Sequence, residues 1–336
     1  MNRFVDWPKI DLHRHVEGSM RTNTFIELAK ACKLTLPSYE PEQVEQLIRL
    51  TPDDPKDFSG FIRTFTYLRQ VLVSQEAVAR IFQEAIEDAA KENIKYLELR
   101  FNPGAMLNNG MSHQELADGV KNGIAWGEKK TGINVGCIGI IGRDMPNELL
   151  QRSSDFCIRY AGNPIVGMDL AGNEINPPEP FRGYFERAKA AGLFVTSHAG
   201  EIAEPQNIIA SVEVLGATRI GHGTRVLQDQ KALDCLRTNR IMVECCLTSN
   251  IQTGAIDDIR NHPLPHLYRM GVPVSINTDD PAVSGGLTLA HEYELAVQTL
   301  GMSDQELQDI ITRSVDYIFR PELKDELKRQ LIFPAG

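Results

Sequence analysis

The 336-residue sequence lacks any apolar run of 18 residues, and its first segment, Met1 to Lys9, contains no apolar stretch. A helix that spans a membrane needs about 20 predominantly apolar residues. A secretory signal peptide needs an apolar core of roughly 7 to 15 residues near its N-terminus. We therefore expect a cytoplasmic protein that has no membrane partner.

Cysteine is scarce and carries no metal-binding spacing. The sequence has six cysteines and no C-x-x-C pair. Most of them lie in apolar surroundings, which is typical of packed, reduced thiols in a cytosolic protein. Disulfide-stabilised and Cys-rich zinc-binding folds are therefore disfavoured.

Basic residues are fewer than acidic ones, 35 against 45, which gives a net charge of −10 without a Lys/Arg cluster. Nucleic acids bind mainly through phosphate contacts with basic side chains, so we do not expect a nucleic-acid partner. A single nucleoside stays possible because it has no phosphate chain. No linker or low-complexity stretch divides the sequence, so we predict one domain over residues 1–336.

Eight short apolar or β-branched runs are predicted to be strands. After the second, they recur at intervals of roughly 25 to 40 residues, the spacing of repeated βα units. This pattern predicts an α/β fold, a (β/α)₈ TIM barrel with extra helices inserted between the first and second strands, since such a barrel needs only about 250 residues. The predicted strands are Ile10–Leu12, Lys95–Phe101, Val135–Ile141, Ile165–Leu170, Phe194–Ser197, Arg219–Gly221, Ile241–Cys246 and Pro273–Ile276.

Polar residues follow these runs at the end where a barrel of this type carries its active site. Those predicted for this rim are His13, His15, Gly172, Glu174, His198, Glu201, His222, Asp279 and Asp280. Of the other histidines, we expect His113, His262 and His266 to be solvated or capping residues and His291 to be structural.

Three of the rim histidines and an aspartate have the composition of a divalent metal site. His13 and His15 are two apart in an extended segment, so their side chains point to the same side. With His198 and an aspartate after strand eight they suit zinc and leave a position for water, whose pKa falls to about 7 on the metal. Glu201 and His222 are then placed to move protons. The alternative is a set of unrelated strand-end residues satisfied by hydrogen bonds.

The sequence resembles the adenosine deaminases, the adenosine/AMP deaminase branch of the amidohydrolase superfamily. The resemblance covers most of the chain and depends on seven motifs in order. They are Asp11-Leu-His-Arg-His-Val-Glu-Gly18, Glu98-Leu-Arg-Phe-Asn-Pro103, Asp169-Leu-Ala-Gly-Asn-Glu174, His198-Ala-Gly-Glu201, Arg219-Ile-Gly-His-Gly223, Cys246-Leu-Thr-Ser-Asn-Ile-Gln-Thr253 and Ser275-Ile-Asn-Thr-Asp-Asp-Pro281.

The resemblance implies zinc-dependent hydrolysis of adenosine or 2′-deoxyadenosine to inosine or 2′-deoxyinosine and ammonia, a reaction of purine salvage. It implies one Zn²⁺ per chain, with the ligands His13, His15, His198 and Asp279. It further implies that Glu201 protonates purine N1, that His222 helps to deprotonate the attacking water and to hold the hydroxide, that Asp280 bonds N7 and that the Gly172 N–H bonds N3. The partners are then a small purine nucleoside and water.

Two absences separate this chain from related enzymes. Binuclear amidohydrolases bridge their metals through a lysine at the end of strand four, where this chain has Asp169-Leu170-Ala171-Gly172. Zinc deaminases that flip bases out of nucleic acid use a His/Cys ligand set with a C-x-x-C element, which is also missing. The missing lysine favours a mononuclear site, and the missing C-x-x-C element separates this chain from the base-flipping zinc deaminases.

The segment 37–74, before strand two, is predicted to be a lid. Phe61, Ile62 and Phe65 make an apolar helical stripe that periodicity alone would assign to core packing. The resemblance implies instead that these side chains close over the nucleoside and help to bind it.

Glu17 limits the prediction of substrate. The resemblance implies that His15 and Glu17 bind the substrate and that Glu17 meets the ribose 5′-hydroxyl, but adenosine deaminases usually carry Asp where this chain has Glu17. The alternative substrates are adenine and a 5′-modified adenosine such as aminofutalosine. A non-catalytic nucleoside-binding barrel is the alternative from another class, and the sequence leaves the oligomeric state open.

Overall fold

The computed structural model describes residues 2–51 and 53–334. Eight strands form one sheet in which each strand pairs in parallel with the next. Backbone hydrogen bonds of 2.8 and 2.9 Å join β1 to the segment after β8, from the His15 N–H to the Asp279 carbonyl and from the Asp279 N–H to the His13 carbonyl, and close the barrel. The strands are β1 Lys9–His15, β2 Ile94–Phe101, β3 Asn134–Gly142, β4 Ile165–Ala171, β5 Phe194–Ala199, β6 Arg219–His222, β7 Met242–Cys245 and β8 Val274–Ile276.

The (β/α)₈ barrel predicted from the sequence is confirmed, and each predicted strand is present. The largest difference is at β1, which continues to His15, three residues beyond the predicted end at Leu12. The sequence-based prediction missed this part of the strand because its side chains are polar, whereas a parallel strand that is buried on both faces normally has an apolar sequence. His13 and His15 therefore lie within β1 and do not follow it.

The helices surround the barrel, and α1 to α4 make up the predicted insertion between β1 and β2. Ser112 and Ser303 begin α6 and α14 with capping boxes, which satisfy the first free N–H groups of each helix. The α-helices of the described residues are α1 Thr22–Ala31, α2 Pro41–Ile48, α3 Phe58–Leu68, α4 Gln75–Lys91, α5 Pro103–Asn108, α6 His113–Thr131, α7 Asn147–Arg159, α8 Arg182–Ala190, α9 Gln206–Ala210, α10 Gln230–Thr238, α11 Leu247–Gln252, α12 Leu264–Arg269, α13 Leu289–Gln298, α14 Asp304–Ser314 and α15 Lys324–Gln330.

The barrel interior contains a charged layer, which we call the interior charge network: Glu98, Arg100, Asp169, Arg219 and Glu244. All five side chains are completely buried. Arg100 pairs with Asp169 at 2.9 Å and with Glu244 at 2.8 Å, and Arg219 pairs with Glu98 and with Glu244. Buried charges are tolerated when each is paired, so this layer ties together β2, β4, β6 and β7 beneath the rim.

Neither a disulfide nor a membrane helix occurs in the part of the chain that the structure describes. Each of the six cysteines is free, and four of them are buried, as the sequence predicted. No described helix combines the length and the apolar composition that a bilayer crossing requires.

Candidate active site

The predicted rim residues converge at the C-terminal end of the barrel. The Nε2 atoms of His13 and His15 each lie 3.2 Å from Oδ1 of Asp279. The ring centroid of His13 lies 4.7 Å from that of His198 and 4.9 Å from that of His222. Side chains from β1, β5, β6 and the segment after β8 thus form one cluster.

This cluster fits a divalent metal ion. Ligand distances of 2.0–2.2 Å in tetrahedral zinc sites place neighbouring donor atoms about 3.3 Å apart, close to the spacing from Asp279 to His13 and His15. Potential ligand atoms of His13, His198 and His222 also lie within 4.8 Å of one another. Although His13 Nε2 and Asp279 Oδ1 lie 3.2 Å apart, neither buried atom meets the geometry of a hydrogen bond with any described residue, as expected of atoms that face a metal position.

Carboxylates from the interior charge network orient two of the histidines. Glu244 Oε2 lies 2.7 Å from His13 Nδ1, and Asp169 Oδ1 lies 3.1 Å from His198 Nδ1. A carboxylate that accepts the Nδ1 proton leaves the Nε2 lone pair free for a metal. The sequence-based prediction missed this role of Asp169 and Glu244, although charged residues inside the apolar strands β4 and β7 are a usable signal.

Glu244 is ionised although it is buried. Burial alone would raise its pKa, but the guanidinium groups of Arg100 and Arg219 hold that pKa well below its usual range. The carboxylate can therefore act as a permanent acceptor for His13 Nδ1.

His222 and Asp279 leave their strands with an uncommon backbone conformation. Their φ angles are 65° and 60°, in the left-handed region that non-glycine residues rarely occupy. Such a conformation costs roughly 1–3 kcal/mol at each residue and is typical of functional sites. Both side chains turn into the cluster at these points.

Glu201 lies beside the cluster with an environment suited to an acid. Burial, and then the neighbouring carboxylate of Glu174, raise its pKa to about 8. Thr253 donates a 2.9 Å hydrogen bond to Glu201 Oε1, and Oε2 lies 3.7 Å from His222 Nε2. Glu174 accepts the backbone N–H groups of Gly200 and Glu201, which fixes this turn. Glu201 can thus hold a proton near neutral pH.

Asp280 and Gly172 line the same cavity on opposite sides of the rim. Burial and the adjacent Asp279 carboxylate raise the pKa of Asp280 well above its usual range. A Cβ on Gly18 would lie 1.7 Å from Asp280 Oδ1, so this close approach requires glycine. Gly172 has a φ of +105°, which also favours glycine.

A cavity of about 360 Å³ opens over the cluster, a size suited to a small ligand. Helix α3 provides one wall through Phe58, Phe61, Ile62 and Phe65. Phe61 and Phe65 are buried, whereas Ile62 is 37% exposed, and the Phe65 ring lies 6.4 Å from that of His15. The predicted lid residues therefore line the cavity.

The structure places Glu17 outside the lining of the cavity. Its side chain is buried and is not among the residues that line the cavity, whereas the neighbouring Asn102 is. Glu17 Oε1 accepts the Asn102 N–H at 3.0 Å, and within the described residues Oε2 has no hydrogen-bond partner.

Arg69 is a cavity residue that the sequence-based prediction missed. Its guanidinium carbon lies 5.1 Å from the centre of the Phe65 ring, and it forms no ion pair with a carboxylate of the described residues. The positive charge of Arg69 lowers the pKa of both Glu17 and Asp280, against the larger opposite effect of burial. The sequence could have identified Arg69 as a cavity residue, because it lies one helical turn after Phe65 and therefore on the same face.

His262, expected to be solvated or capping, is not solvated but does cap a helix, because its Nδ1 atom accepts the N–H of Leu264, the first residue of α12, at 3.2 Å. This side chain is buried, and its Nε2 atom lies 3.1 Å from Asn250 Oδ1. The polar local sequence suggested exposure, but the loop before α12 folds against α11, so the polar atoms are satisfied inside the protein. His266 is exposed, as expected.

The sequence matches the model of one protein family over most of its length. The adenosine deaminase family matches residues 8–332. The chain belongs to the adenosine deaminase family. It is 36% identical over 334 residues to an adenosine deaminase of Yersinia pseudotuberculosis, with 98% of each chain covered.

Solved structures of deaminases that are named for other substrates are also similar. An adenine deaminase from Arthrobacter aurescens matches with a TM-score of 0.86 and 27% identity over 97% of this chain and 98% of the other. An N6-methyl-AMP deaminase from Arabidopsis thaliana matches with a TM-score of 0.84 and 30% identity over 98% of both chains. The protein is accordingly a hydrolytic deaminase, and the non-catalytic alternative is set aside.

Proposed function

We propose that this chain deaminates adenosine and 2′-deoxyadenosine hydrolytically, releasing ammonia and inosine or 2′-deoxyinosine, as a step of purine salvage. The observation that carries the proposal is the buried Glu201, whose pKa is raised to about 8, facing the same cavity as the histidine cluster. Attack on an aromatic carbon needs a nucleophile and a ring-protonating acid presented together. The six free cysteines also suit the reducing cytoplasm, where we place the protein.

We propose one Zn²⁺ per chain, held by His13, His15, His198 and Asp279. When bound, such an ion lowers the pKa of a water molecule enough for it to attack near neutral pH. The end of β4 offers no lysine for a second metal, which supports a mononuclear site.

Glu201 is the proposed donor of a proton to purine N1, which makes C6 electrophilic. Asp280, neutral because of its raised pKa, is the proposed hydrogen-bond donor to N7, and the Gly172 N–H is proposed to meet N3. His222 is proposed to hold the attacking water. The three contacts to N1, N7 and N3 would fix the purine plane above the cluster.

The apolar wall formed by Phe61, Ile62 and Phe65 is the proposed cover of the bound nucleoside. It would exclude bulk water while charge develops on the purine ring, which strengthens the interactions of Glu201 and Asp280. We place His15 and Glu17 at the sugar end, where Glu17 acts through or beside Asn102.

Steady-state kinetics on adenosine, 2′-deoxyadenosine, free adenine and AMP test this proposal by following ammonia release. Adenosine should have the highest kcat/KM, and Glu201→Gln should abolish most turnover of every substrate. Faster deamination of free adenine than of adenosine would assign the chain to the adenine branch instead.

A second candidate, an adenosine with an anionic 5′ substituent, is favoured by Arg69. A guanidinium that lines the cavity without an ion pair suits a phosphate or carboxylate. AMP and aminofutalosine are the test compounds. Should either exceed adenosine in kcat/KM, and lose that advantage in Arg69→Met, the second candidate replaces the first.

A further inference from the structure

Two buried residues outside the cavity connect to His222 through a chain of hydrogen bonds. His222 Nδ1 lies 3.0 Å from Asn250 Nδ2, and Asn250 Oδ1 lies 3.1 Å from His262 Nε2. All three side chains are at most 2% exposed. Neither Asn250 nor His262 lines the cavity, so neither has a direct route to the substrate.

At the end of this hydrogen-bond series farthest from His222, one fixed donor determines which group donates and which accepts in every bond. The backbone N–H of Leu264 donates to His262 Nδ1 at 3.2 Å, and a backbone N–H can only donate. Burial lowers the pKa of His262 to about 3, so the ring is neutral and has one proton. With Nδ1 accepting, that proton lies on Nε2 and is donated to Asn250 Oδ1.

The amide of Asn250 then transmits this direction to His222. Because its oxygen accepts from His262, its nitrogen faces His222, and an amide nitrogen can only donate. His222 Nδ1 must therefore accept. A neutral imidazole that accepts at Nδ1 has its single proton on Nε2.

His222 thus differs from the two neighbouring histidines that carboxylates orient. Glu244 and Asp169 accept at Nδ1 of His13 and His198, which exposes a lone pair at each Nε2. The amide donor at His222 has the opposite effect, because it exposes an N–H at Nε2. The protein therefore provides two histidines prepared to ligate a metal and one prepared to donate a hydrogen bond.

We propose that Asn250 and His262 are positioning residues that hold His222 in the tautomer protonated at Nε2, so that His222 donates a hydrogen bond to the attacking water. This inference rests on the proposed function. A histidine in this state cannot take the proton that the water releases. Glu201 can take the proton of the water after it has given its own proton to purine N1. Glu201 thus gives one proton and receives one.

The variant Asn250→Asp tests the proposal with a change of almost no volume. A carboxylate still accepts from His262 Nε2, but at His222 it accepts a proton where the amide donated one, which moves the proton to Nδ1. We expect kcat to fall about 10²- to 10⁴-fold, the range for acid–base groups and for a histidine held in the wrong tautomer. KM should change little because Asn250 lies outside the cavity.

Two variants of His262 provide the matched comparison. His262→Gln keeps an N–H that can donate to Asn250, so kcat should stay within a few fold of the wild type. His262→Phe removes that donor and lets the amide reverse, and kcat should fall roughly tenfold, the low end for an outer partner of an active site. Thermal unfolding and metal content, measured on all three variants, identify any loss that comes from misfolding.

The tautomer can be observed without activity by ¹⁵N NMR of the imidazoles in metal-free protein. The wild type should show His222 protonated at Nε2, and Asn250→Asp should show protonation at Nδ1. A wild-type His222 protonated at Nδ1, or a folded Asn250→Asp variant with wild-type kcat, would overturn the proposal. If the wild type has the expected tautomer but deaminates no adenine compound, the proposed function fails and the positioning role stands.

Discussion

Replacing Glu244 by Gln should weaken metal binding through a residue that does not contact the metal. The carboxylate accepts from His13 Nδ1 at 2.7 Å and also pairs with Arg100 and Arg219. Gln keeps the shape but loses the charge, so His13 loses the partner that directs its Nε2 lone pair to the cluster. Outer partners of metal-bound histidines typically contribute 10- to 100-fold in affinity, or about 1.4–2.7 kcal/mol.

Glu98→Gln is the matched control. Glu98 is equally buried and also pairs with Arg219, but it contacts no histidine among the described residues. Glu98→Gln leaves one buried arginine with one fewer carboxylate and Glu244→Gln leaves two, so both should lose stability, by about 3–5 kcal/mol for each arginine whose charge finds no new partner. Only Glu244→Gln should lose metal affinity.

The assay is competition for Zn²⁺ against a chelator of known affinity, with thermal unfolding measured on the same samples. We expect both variants to lose stability, Glu244→Gln the more, and to differ at least tenfold in the dissociation constant of the metal. Equal affinities in Glu244→Gln and Glu98→Gln would refute the reasoning, because the loss would then come from the damaged charge network alone.

Three further predictions concern the metal, the acid and the sugar end. Purified protein should contain one equivalent of Zn²⁺, and His15→Ala should lose metal and activity together; two equivalents in a fully active sample would indicate a binuclear site. Glu201→Gln should keep its metal and lose about 10²-fold or more in kcat; because the pKa of Glu201 is raised to about 8, the wild type should lose kcat as the pH rises through that value and the proton donor is lost. Removal of the 5′-hydroxyl of adenosine should cost roughly 1–3 kcal/mol in kcat/KM; equal rates for adenosine and 5′-deoxyadenosine in wild type and Glu17→Asp would exclude Glu17 from substrate selection.

The strands and the rim were predictable because they depend on local pattern. A buried parallel strand is an apolar run, and a rim residue follows such a run, so His198 and His222 could be placed from their neighbours in sequence. The end of β1 failed this rule, since its histidines interrupt the apolar pattern that defines a strand.

The residues that orient the site were not predictable, because each acts on a partner far away in the chain. Glu244 contacts His13 across 231 positions, and Asn250 contacts His222 across 28. Such pairs depend on which strands face each other inside the barrel and at what height. The burial of His262 was missed for the same reason, since a polar loop shows its burial only once the element that covers it is known.

Because the left-handed backbone at His222 and Asp279 is strained, this protein could gain thermal stability by substitution at these two positions. Glycine or asparagine at either position would relax the strain, which amounts to roughly 1–3 kcal/mol per residue, at the expense of the site. A screen for thermostability alone would therefore enrich inactive proteins. A descendant that is no longer selected for catalysis should evolve toward a barrel that is more stable and inactive.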